Sequence, residues 1–246
     1  MPPLNAAGTC LVQTQDSINP PLTTVPAVPK PLDAGTKLTL GGPNNKSQDV
    51  PSKAGAGYAA FLAQSGATVA GFPISGVVPG VPAVPTGLPA SFIEAGQWSL
   101  KGTGGSDIGA FTATVTVPTP LTCKNCDLDT IDRSQPLTIN WSGGGGSQDY
   151  VQIGGFATTP SLADSTKNVA VIFSCTARAS DGTFTVPVSI LSQLPTSSSD
   201  VLSAANVGAL AIVNGLGSSS ATFTAPGLDA GYFGYSSLLY RAMGYK

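Results

Sequence analysis

The stretch "AFTATVTV", residues 110–117, alternates apolar and threonine side chains without a break. Phe111, Ala113, Val115 and Val117 occupy alternate positions, with threonines between them. Successive side chains of a strand point to opposite faces of a sheet, so this period of two predicts a strand with an apolar face turned to a core and a threonine face turned to solvent.

Other segments have the same character and are separated by turn residues at the spacing of a β-sandwich. The predicted strands are "TKLTL", "QWSLK", "LTINW", "DYVQI", "NVAVIFSCT", "GTFTVPV", "ALAIV" and "ATFT". The chain contains 30 Gly and 21 Pro in 246 residues, which disfavours long helices because Pro removes a backbone donor and Gly is costly inside regular elements. We therefore predict an all-β fold built of immunoglobulin-like sandwiches.

We expect three segments along the chain. Residues 1–33, which include "NPPLTTVPAVPKPLD", are predicted to form an extended Pro-rich arm that can be donated as a strand, because Pro biases its own residue and the preceding one toward extended geometry. Residues 34–118 and 119–246 are predicted to form a first and a second sandwich domain. "VPAVP" recurs at 81–85, which we interpret as a second surface connection of similar composition.

Charge and composition exclude several classes of partner. Charged residues make up only 10% of the chain, where globular proteins average about 25%, and the formal net charge is −2. No cluster of Lys and Arg offers the electrostatic footprint that nucleic acid or an anionic membrane requires, and no apolar run approaches the roughly 20 residues of a membrane helix. The low charge and an even number of cysteines, four, are typical of a secreted or cell-surface protein.

Groups for catalysis are scarce. The chain has no histidine, which excludes histidine-dependent nucleophilic catalysis, imidazole acid–base chemistry and histidine metal ligation. Glu94 is the only glutamate, so any paired carboxylates must be aspartates. "DLDTID" offers Asp127, Asp129 and Asp132, but it lacks the signature of a calcium loop and is interpreted as an acidic turn, with calcium at the first two left open.

Two glycine-rich stretches, "GTGGSD" at 102–107 and "SGGGGSQ" at 142–148, are predicted to be inter-strand loops. Neither has the Lys-Ser/Thr of a phosphate-binding loop, and neither precedes a helical pattern. We therefore predict no enzyme activity, no catalytic residue, no metal and no cofactor.

The four cysteines, Cys10, Cys123, Cys126 and Cys175, are predicted to form disulfides. Cys123 and Cys126 point to opposite faces if 121–127 is extended, so each would seek a different partner. In this preferred arrangement Cys175, a core position, bridges to one of them and Cys10 ties down the arm. If 123–126 is instead a tight turn, those two cysteines close on each other.

Several stretches together resemble a group of secreted β-sandwich proteins of acidobacterial type. The similarity spans about residues 33–235 and rests on "LDAGTKLTLGGP", "GGSDIGAFTATVTVPTPLT", "IDRSQPLTINWSGG", "YVQIGG", "FSCTA", "GTFTVPVSILSQLP" and "FTAPGLDAGYF". The resemblance implies secretion and β-architecture, and it brings no established activity or site residues. The chain departs from the pattern at Cys123 and Cys126, where those proteins tend to have Trp and a polar residue, which indicates an added cross-link.

These patterns favour a structural extracellular protein, a subunit that forms a filament or surface layer with its own copies by strand augmentation and disulfides. The alternative is a cell-surface carbohydrate-binding or adhesion module that stacks sugars on exposed aromatic rings. Its candidate residues are Trp98, Tyr150, Tyr232, Phe233, Tyr235 and Tyr240.

Overall fold

The computed structural model describes residues 5–16, 31–53, 57–58, 92–164, 168–200 and 206–246. These residues are almost entirely β-structure, which confirms the predicted all-β class. The strands are β1 Thr9–Asp16, β2 Lys37–Gly41, β3 Ser47–Lys53, β4 Gly57–Tyr58, β5 Gly96–Gly102, β6 Phe111–Val117, β7 Thr122–Cys123, β8 Thr130–Ile131, β9 Leu137–Ser142, β10 Tyr150–Pro160, β11 Asn168–Arg178, β12 Thr183–Val186, β13 Gly208–Leu216, β14 Ser220–Ala225, β15 Leu228–Gly234, β16 Ser237–Ala242 and β17 Gly244–Tyr245. A 3-10 turn at Ala179–Asp181 and one short helix, α1 at Val188–Leu191, interrupt them.

Most of the Pro-rich stretch of the arm and the second "VPAVP" lie outside the described residues. Among the residues that are described, no helix has the length and apolar character needed to cross a membrane.

The chain forms two compact units that do not follow the predicted contiguous boundaries. Unit 1 contains Met1–Pro26, Leu121–Asn214 and Ser237–Lys246, and unit 2 contains Ala27–Pro120 and Gly215–Ser236. The first strand thus belongs with the second half of the chain, and the hairpin β14–β15 belongs with the first half. Strand pairing between distant segments produces this division, and a reading along the chain has no signal for it.

Unit 1 is a β-sandwich. A five-stranded sheet in the order β1-β11-β10-β13-β16 and a three-stranded sheet in the order β12-β9-β7 contribute side chains to one buried core, with the parallel pair β17–β8 beside them. Trp141 of β9, Phe173 of β11 and Tyr245 of β17 are among its largest fully buried side chains. The alternation of "NVAVIFSCT" predicts Val169, Val171, Phe173 and Cys175 on the core face, and the last three lie in this core, whereas Val169 is only half-buried and outside it.

Unit 2 has a five-stranded sheet in the order β4-β3-β2-β5-β6 and the separate hairpin β14–β15. In β6 the burial alternates as predicted, with Ala113, Val115 and Val117 buried and the threonines between them exposed. The hairpin packs against β6, and the rings of Phe111 and Phe223 stack with their centroids 4.8 Å apart. Burial of these apolar faces is the main stabilising term for a sheet of this kind.

Glycines opposite aromatic rings are a recurrent packing device in both units. Among the strand pairings of the described residues, this composition occurs at Gly155 opposite Phe173, Gly102 opposite Phe111, and Gly231 opposite Phe223. At each one, a β-carbon on the glycine would overlap the ring of its partner. The missing side chain therefore provides the space in which the ring lies across the neighbouring strand.

Gly155 tests this device, with its neighbour Gly154 as the control. A β-carbon at Gly155 would overlap the Tyr245 hydroxyl and the Phe173 ring, whereas one at Gly154 would make an ordinary contact of 3.4 Å with the Phe173 carbonyl oxygen. We expect Gly155→Ala to lower the free energy of unfolding by about 1–3 kcal/mol through overpacking. Gly154→Ala should change it by less than about 1 kcal/mol. Urea unfolding monitored by Trp fluorescence measures both, and equal effects would contradict the explanation.

Candidate functional site

The candidate functional site is the contact between residues 5–16 and β11, which we call the β1 seam. Eight consecutive residue pairs join β1 to β11 in antiparallel register. Two further hydrogen bonds precede the strand: Gly8 donates its N–H to the Thr176 carbonyl at 2.8 Å, and the Asn5 side-chain amide donates to the Ser174 carbonyl at 2.9 Å. The arm therefore attaches to the sheet by adding a strand, with β11 as the acceptor.

A disulfide closes the β1 seam on its core side. Cys10 stands directly opposite Cys175, their Cα atoms are 4.0 Å apart, and the two side chains form a disulfide. Cys175 is fully buried, and Cys10 and Val12 pack against the same core. The alternation of β1 therefore puts the sulfur bond inside the sandwich and turns Leu11 outward.

The preferred disulfide connectivity was wrong. Cys175 pairs with Cys10 rather than with either residue of the C-x-x-C motif, and Cys123 pairs with Cys126 as in the alternative arrangement. The parity argument assumed an extended chain through 121–127, but β7 ends at Cys123 and the next residues form a bend. Cys10 does tie down the arm, since β1 places it opposite the core cysteine.

Asn125 explains why the C-x-x-C segment turns. Its side-chain amide donates to the Thr138 carbonyl and its side-chain oxygen accepts from the Asn140 N–H, each at 2.8 Å. The Lys124 N–H also donates to the Asn140 carbonyl at 2.8 Å. The side chain thus replaces backbone partners for β9 where β7 has ended, and the nearby cysteines close the turn.

The acidic segment after the turn is held by contacts of its own. Asp127 forms an ion pair with Arg241 of β16, and Asp132 accepts hydrogen bonds from the Ser134 hydroxyl at 2.7 Å and the Ser134 N–H at 2.8 Å. These two hydrogen bonds hold the pKa of Asp132 below its ordinary value, and the bond from the Ser134 hydroxyl has the larger effect. The carbonyl of Asp129 accepts from the Gly244 N–H at 3.0 Å. Within the described ranges, no three Cys, Asp or Glu side chains are grouped as metal ligands.

The first glycine-rich stretch, 102–107, is an inter-strand loop, as predicted, and it closes on Asp33. One carboxylate oxygen of Asp33 accepts from the Ser106 N–H at 3.1 Å and the Ser106 hydroxyl at 2.9 Å, and the other accepts from the Gly35 N–H at 2.8 Å. In return, the Asp107 carboxylate accepts from the Asp33 N–H at 2.8 Å. These donors, with the Ser106 N–H foremost, hold the pKa of Asp33 below its ordinary value. "LDAG" carries the signal of an Asx-type turn that identifies this aspartate.

The second glycine-rich stretch, 142–148, is also an inter-strand loop, as predicted, and it lies between β9 and β10. Gly143, Gly144 and Gly145 have φ values of 75°, 85° and 121°, which side chains rarely adopt. The buried carboxylate of Asp149 accepts from the Gly146 N–H at 2.8 Å. The polyglycine run thus permits a backbone conformation that other residues rarely adopt, and the Asp149 carboxylate closes the loop.

The candidate aromatic platform is dispersed. Trp98 is buried and donates its indole N–H to the Glu94 carbonyl at 2.9 Å. Phe233 and Tyr235 pack against a core cluster of unit 2, and burial raises the pKa of Tyr240. Tyr150 is half-buried, and the Arg178 guanidinium lies 5.8 Å from its ring centroid. Tyr232 is 65% exposed. The alternation of "GYFGY" along β15 turns neighbouring rings to opposite faces.

No known protein-family model, curated protein or solved structure matches this chain. The resemblance to secreted β-sandwich proteins of acidobacterial type remains a prediction.

The two disulfides should differ in their contribution to stability. Cys10 and Cys175 are 165 positions apart and Cys123 and Cys126 are 3 apart, so the first restricts the unfolded chain far more. We expect C10S/C175S to lower the free energy of unfolding by about 5 kcal/mol and C123S/C126S by about 2 kcal/mol. Urea unfolding of both variants against the parent measures this difference, and the reverse order would contradict it.

Asp33 should make the stability of unit 2 depend on pH. Its pKa is lowered in the folded chain, so the stability that it contributes is present above its ordinary pKa of 3.8 and is lost as the pH falls through the lowered value. Asp33→Asn replaces one of the two acceptor oxygens by an NH2 group, which leaves either the Ser106 donors or the Gly35 N–H without an acceptor, so we expect a lower melting temperature at neutral pH and a smaller decline toward about pH 2. Asp229→Asn, on the exposed side of β15, is the control. A decline that Asp33→Asn leaves unchanged would contradict the assignment.

Proposed function

We propose that this chain is a structural extracellular protein whose copies assemble into a filament or surface layer through strand addition and disulfides. The observation that carries the proposal is the β1 seam, in which an N-terminal strand completes the edge of a sheet and is locked there by Cys10–Cys175. The proposal includes two immunoglobulin-like sandwiches, a Pro-rich arm and secretion, and it includes no catalytic step. A cross-strand disulfide fits an oxidising compartment.

The β1 seam is suited to exchange between copies because its backbone and disulfide partners are on one acceptor strand. Its register pairs, its disulfide and the hydrogen bonds of Asn5 and Gly8 all go to β11. A β1 from a second copy would make the same contacts, and exchange of an identical element is a low-cost route to assembly. Main-chain hydrogen bonds provide affinity in such strand addition, and the oxidised cysteines would make the contact covalent.

The described surface of unit 2 supports a structural role as well. Thr112, Thr114 and Thr116 project from β6 on the side away from the core. Over the whole chain only 11 Lys and Arg and 13 Asp and Glu are present in 246 residues. Surfaces with so few charged groups come together with little loss of charge hydration. The cores of protein interfaces are likewise depleted in charged residues.

The alternative proposal is a carbohydrate-binding or adhesion module that uses Tyr232. This side chain is 65% exposed, and its ring lies along Gly234, where a β-carbon would overlap it. A flat exposed ring beside Thr222, its cross-strand partner, has the chemistry of a sugar-stacking site. Binding on a glycan array that Tyr232→Ala abolishes would support this alternative over assembly.

Covalent exchange can be read directly from a mixture of two tagged chains. In a C123S/C126S background only Cys10 and Cys175 remain, so we expect refolding of the mixture under oxidising conditions to give a ladder on non-reducing gels that contains both tags. A reductant should collapse the ladder, and C10S in the same background should never form it. Electron microscopy of the parent chain at high concentration should show filaments or sheets. Dispersed monomers with an intramolecular Cys10–Cys175 bond at every concentration would contradict the proposal.

A further inference from the structure

The sequence contains two tripeptides of the form Asn-X-Ser, the acceptor pattern for N-linked glycans, and the structure places them in different environments. Asn45-Lys46-Ser47 begins in the turn between β2 and β3, and Asn140-Trp141-Ser142 lies within β9. An N-linked glycan is bulky and hydrated, so its asparagine has to lie at the surface. Its side-chain amide also has to be available, rather than committed to a hydrogen bond inside the fold.

Asn45 is a central residue of the turn that joins β2 to β3. The Gly42 N–H donates to the Lys46 carbonyl at 2.8 Å, and the Lys46 N–H donates to the Pro43 carbonyl at 3.0 Å. Asn44 and Asn45 have φ values of 53° and 57°, in the left-handed region that asparagine tolerates better than most side chains. The backbone therefore explains an asparagine at this position, but it does not explain the serine two positions later.

The residues on either side of Asn45 hold the turn against the segment that precedes β5. The Asn44 side-chain amide donates to the Glu94 carboxylate at 2.7 Å, and the Lys46 ammonium lies 3.1 Å from the same carboxylate. The Lys46 ammonium also donates to the Phe92 carbonyl at 3.1 Å. These contacts fix the turn without the side chain of Asn45, so a substituent on its amide would break none of them.

Both polar side chains of this tripeptide are available to a modifying enzyme. Asn45 and Ser47 are exposed, and neither side chain hydrogen-bonds to another residue in the described part of the chain. Ser47 is the first residue of β3 and stands opposite Gly41, which has no side chain to cover it. The amide that would carry a sugar and the hydroxyl that completes the acceptor pattern therefore both face solvent.

Asn140 has the opposite environment. It is half-buried in β9 opposite Thr183 of β12, and its side-chain oxygen accepts from the Thr183 hydroxyl at 2.8 Å. Its N–H donates to the Asn125 side chain and its carbonyl accepts from the Lys124 N–H, each at 2.8 Å. The next residue, Trp141, is buried. A glycan at Asn140 would compete with the pairing of β9 and β12, so the folded chain supplies its own negative control.

We propose that Asn45 carries an N-linked glycan and that Asn140 remains unmodified. The donor is an oligosaccharide joined through pyrophosphate to a polyprenyl lipid. The amide nitrogen of Asn45 forms a bond to the anomeric carbon of the sugar, and the bond from that carbon to the pyrophosphate oxygen breaks. The amide proton passes to a base of the transferase and the lipid pyrophosphate leaves with the electron pair, so nothing is oxidised or reduced.

The inference rests on the secretion that the proposed function includes, because an exported chain is the one that meets a lipid-linked sugar donor. It adds to that function a modified position at the β2–β3 turn of unit 2. Charged residues make up only 10% of this chain, so few charged groups hydrate its surface. The hydroxyls of a glycan would add hydration at this end of the sheet.

The serine of each tripeptide allows the modification to be tested without changing the asparagine. Ser47→Ala keeps Asn45 and the turn but removes the hydroxyl of the acceptor pattern, so we expect complete loss of the glycan. Ser142→Ala removes the second acceptor pattern and leaves the hydrogen bonds of Asn140 in place, so it should leave the glycan unchanged. The two substitutions are matched, because both serines are exposed positions of β-strands.

Mass spectrometry of the intact chain and of its glycopeptides measures the modification, on protein isolated from its native host and on both variants produced there. We expect a glycan on Asn45 in the parent and in Ser142→Ala, none on Asn140, and none on Ser47→Ala. Circular dichroism and thiol counting verify the fold of each variant. A glycan on Asn140, an equal loss in Ser142→Ala, or a glycan that persists in Ser47→Ala would overturn the inference.

The location and assembly of the same samples separate this inference from the proposed function. Unmodified Asn45 in filaments recovered outside the cell would remove the glycan and keep the assembly. A glycan on Asn45 in chains that stay dispersed would keep the modification and remove the assembly. Unmodified chains that remain inside the cell would remove both.

Discussion

The bond between Cys10 and Cys175 is the constraint on which unit 1 depends. It joins the first strand of the chain to a sheet whose other strands all follow Leu121. Among the described strands β1 pairs with β11 alone, and it packs Cys10 and Val12 against the core, so its burial alone contributes little stabilisation. A cross-link over 165 positions removes far more freedom from the unfolded chain than one over a short loop. The covalent tie therefore holds β1 in unit 1 although residues 27–120, which belong to unit 2, separate it in sequence from the rest of that unit.

Unit 1 is interrupted in sequence a second time, by Gly215–Ser236 of unit 2, and here strand pairing rather than a disulfide holds the two flanking segments together. The chain leaves unit 1 after Asn214 and returns at Ser237, and these two residues are opposite each other in the β13–β16 pair. Asn214 is buried, and its side-chain oxygen accepts a hydrogen bond from the Ser237 hydroxyl. Because the two ends of the intervening segment already lie side by side, unit 1 keeps its sheet continuous at little entropic cost of closure.

The sequence predicts local features of this fold well and distant ones poorly. The alternation of "AFTATVTV" and "NVAVIFSCT" identifies strand, buried face and the inward position of Cys175, because these depend on a period of two within one segment. The partner of Cys175 depends on the pairing of β1 with β11, and the hairpin β14–β15 joins unit 2 through contacts with β6. Both couple positions more than 100 residues apart, for which one sequence has no local signal. The prediction for Cys123 and Cys126 failed for a different reason. It assumed an extended chain, and the hydrogen bonds of Asn125 hold this segment in a turn instead.

The scarcity of charge bears on the proposed contact between copies of this chain. With a net charge of −2 in 246 residues, long-range electrostatic repulsion between copies is weak. Backbone groups at sheet edges and apolar side chains are the short-range groups that remain, and salt screens neither of them strongly. Within the described residues, β1 and β16 are the outer strands of the five-stranded sheet of unit 1, and each carries an exposed leucine, Leu11 and Leu238. In the proposed assembly, contacts between copies would depend on these short-range groups rather than on electrostatic steering, which is the regime in which a strand and a disulfide can define a single repeating contact.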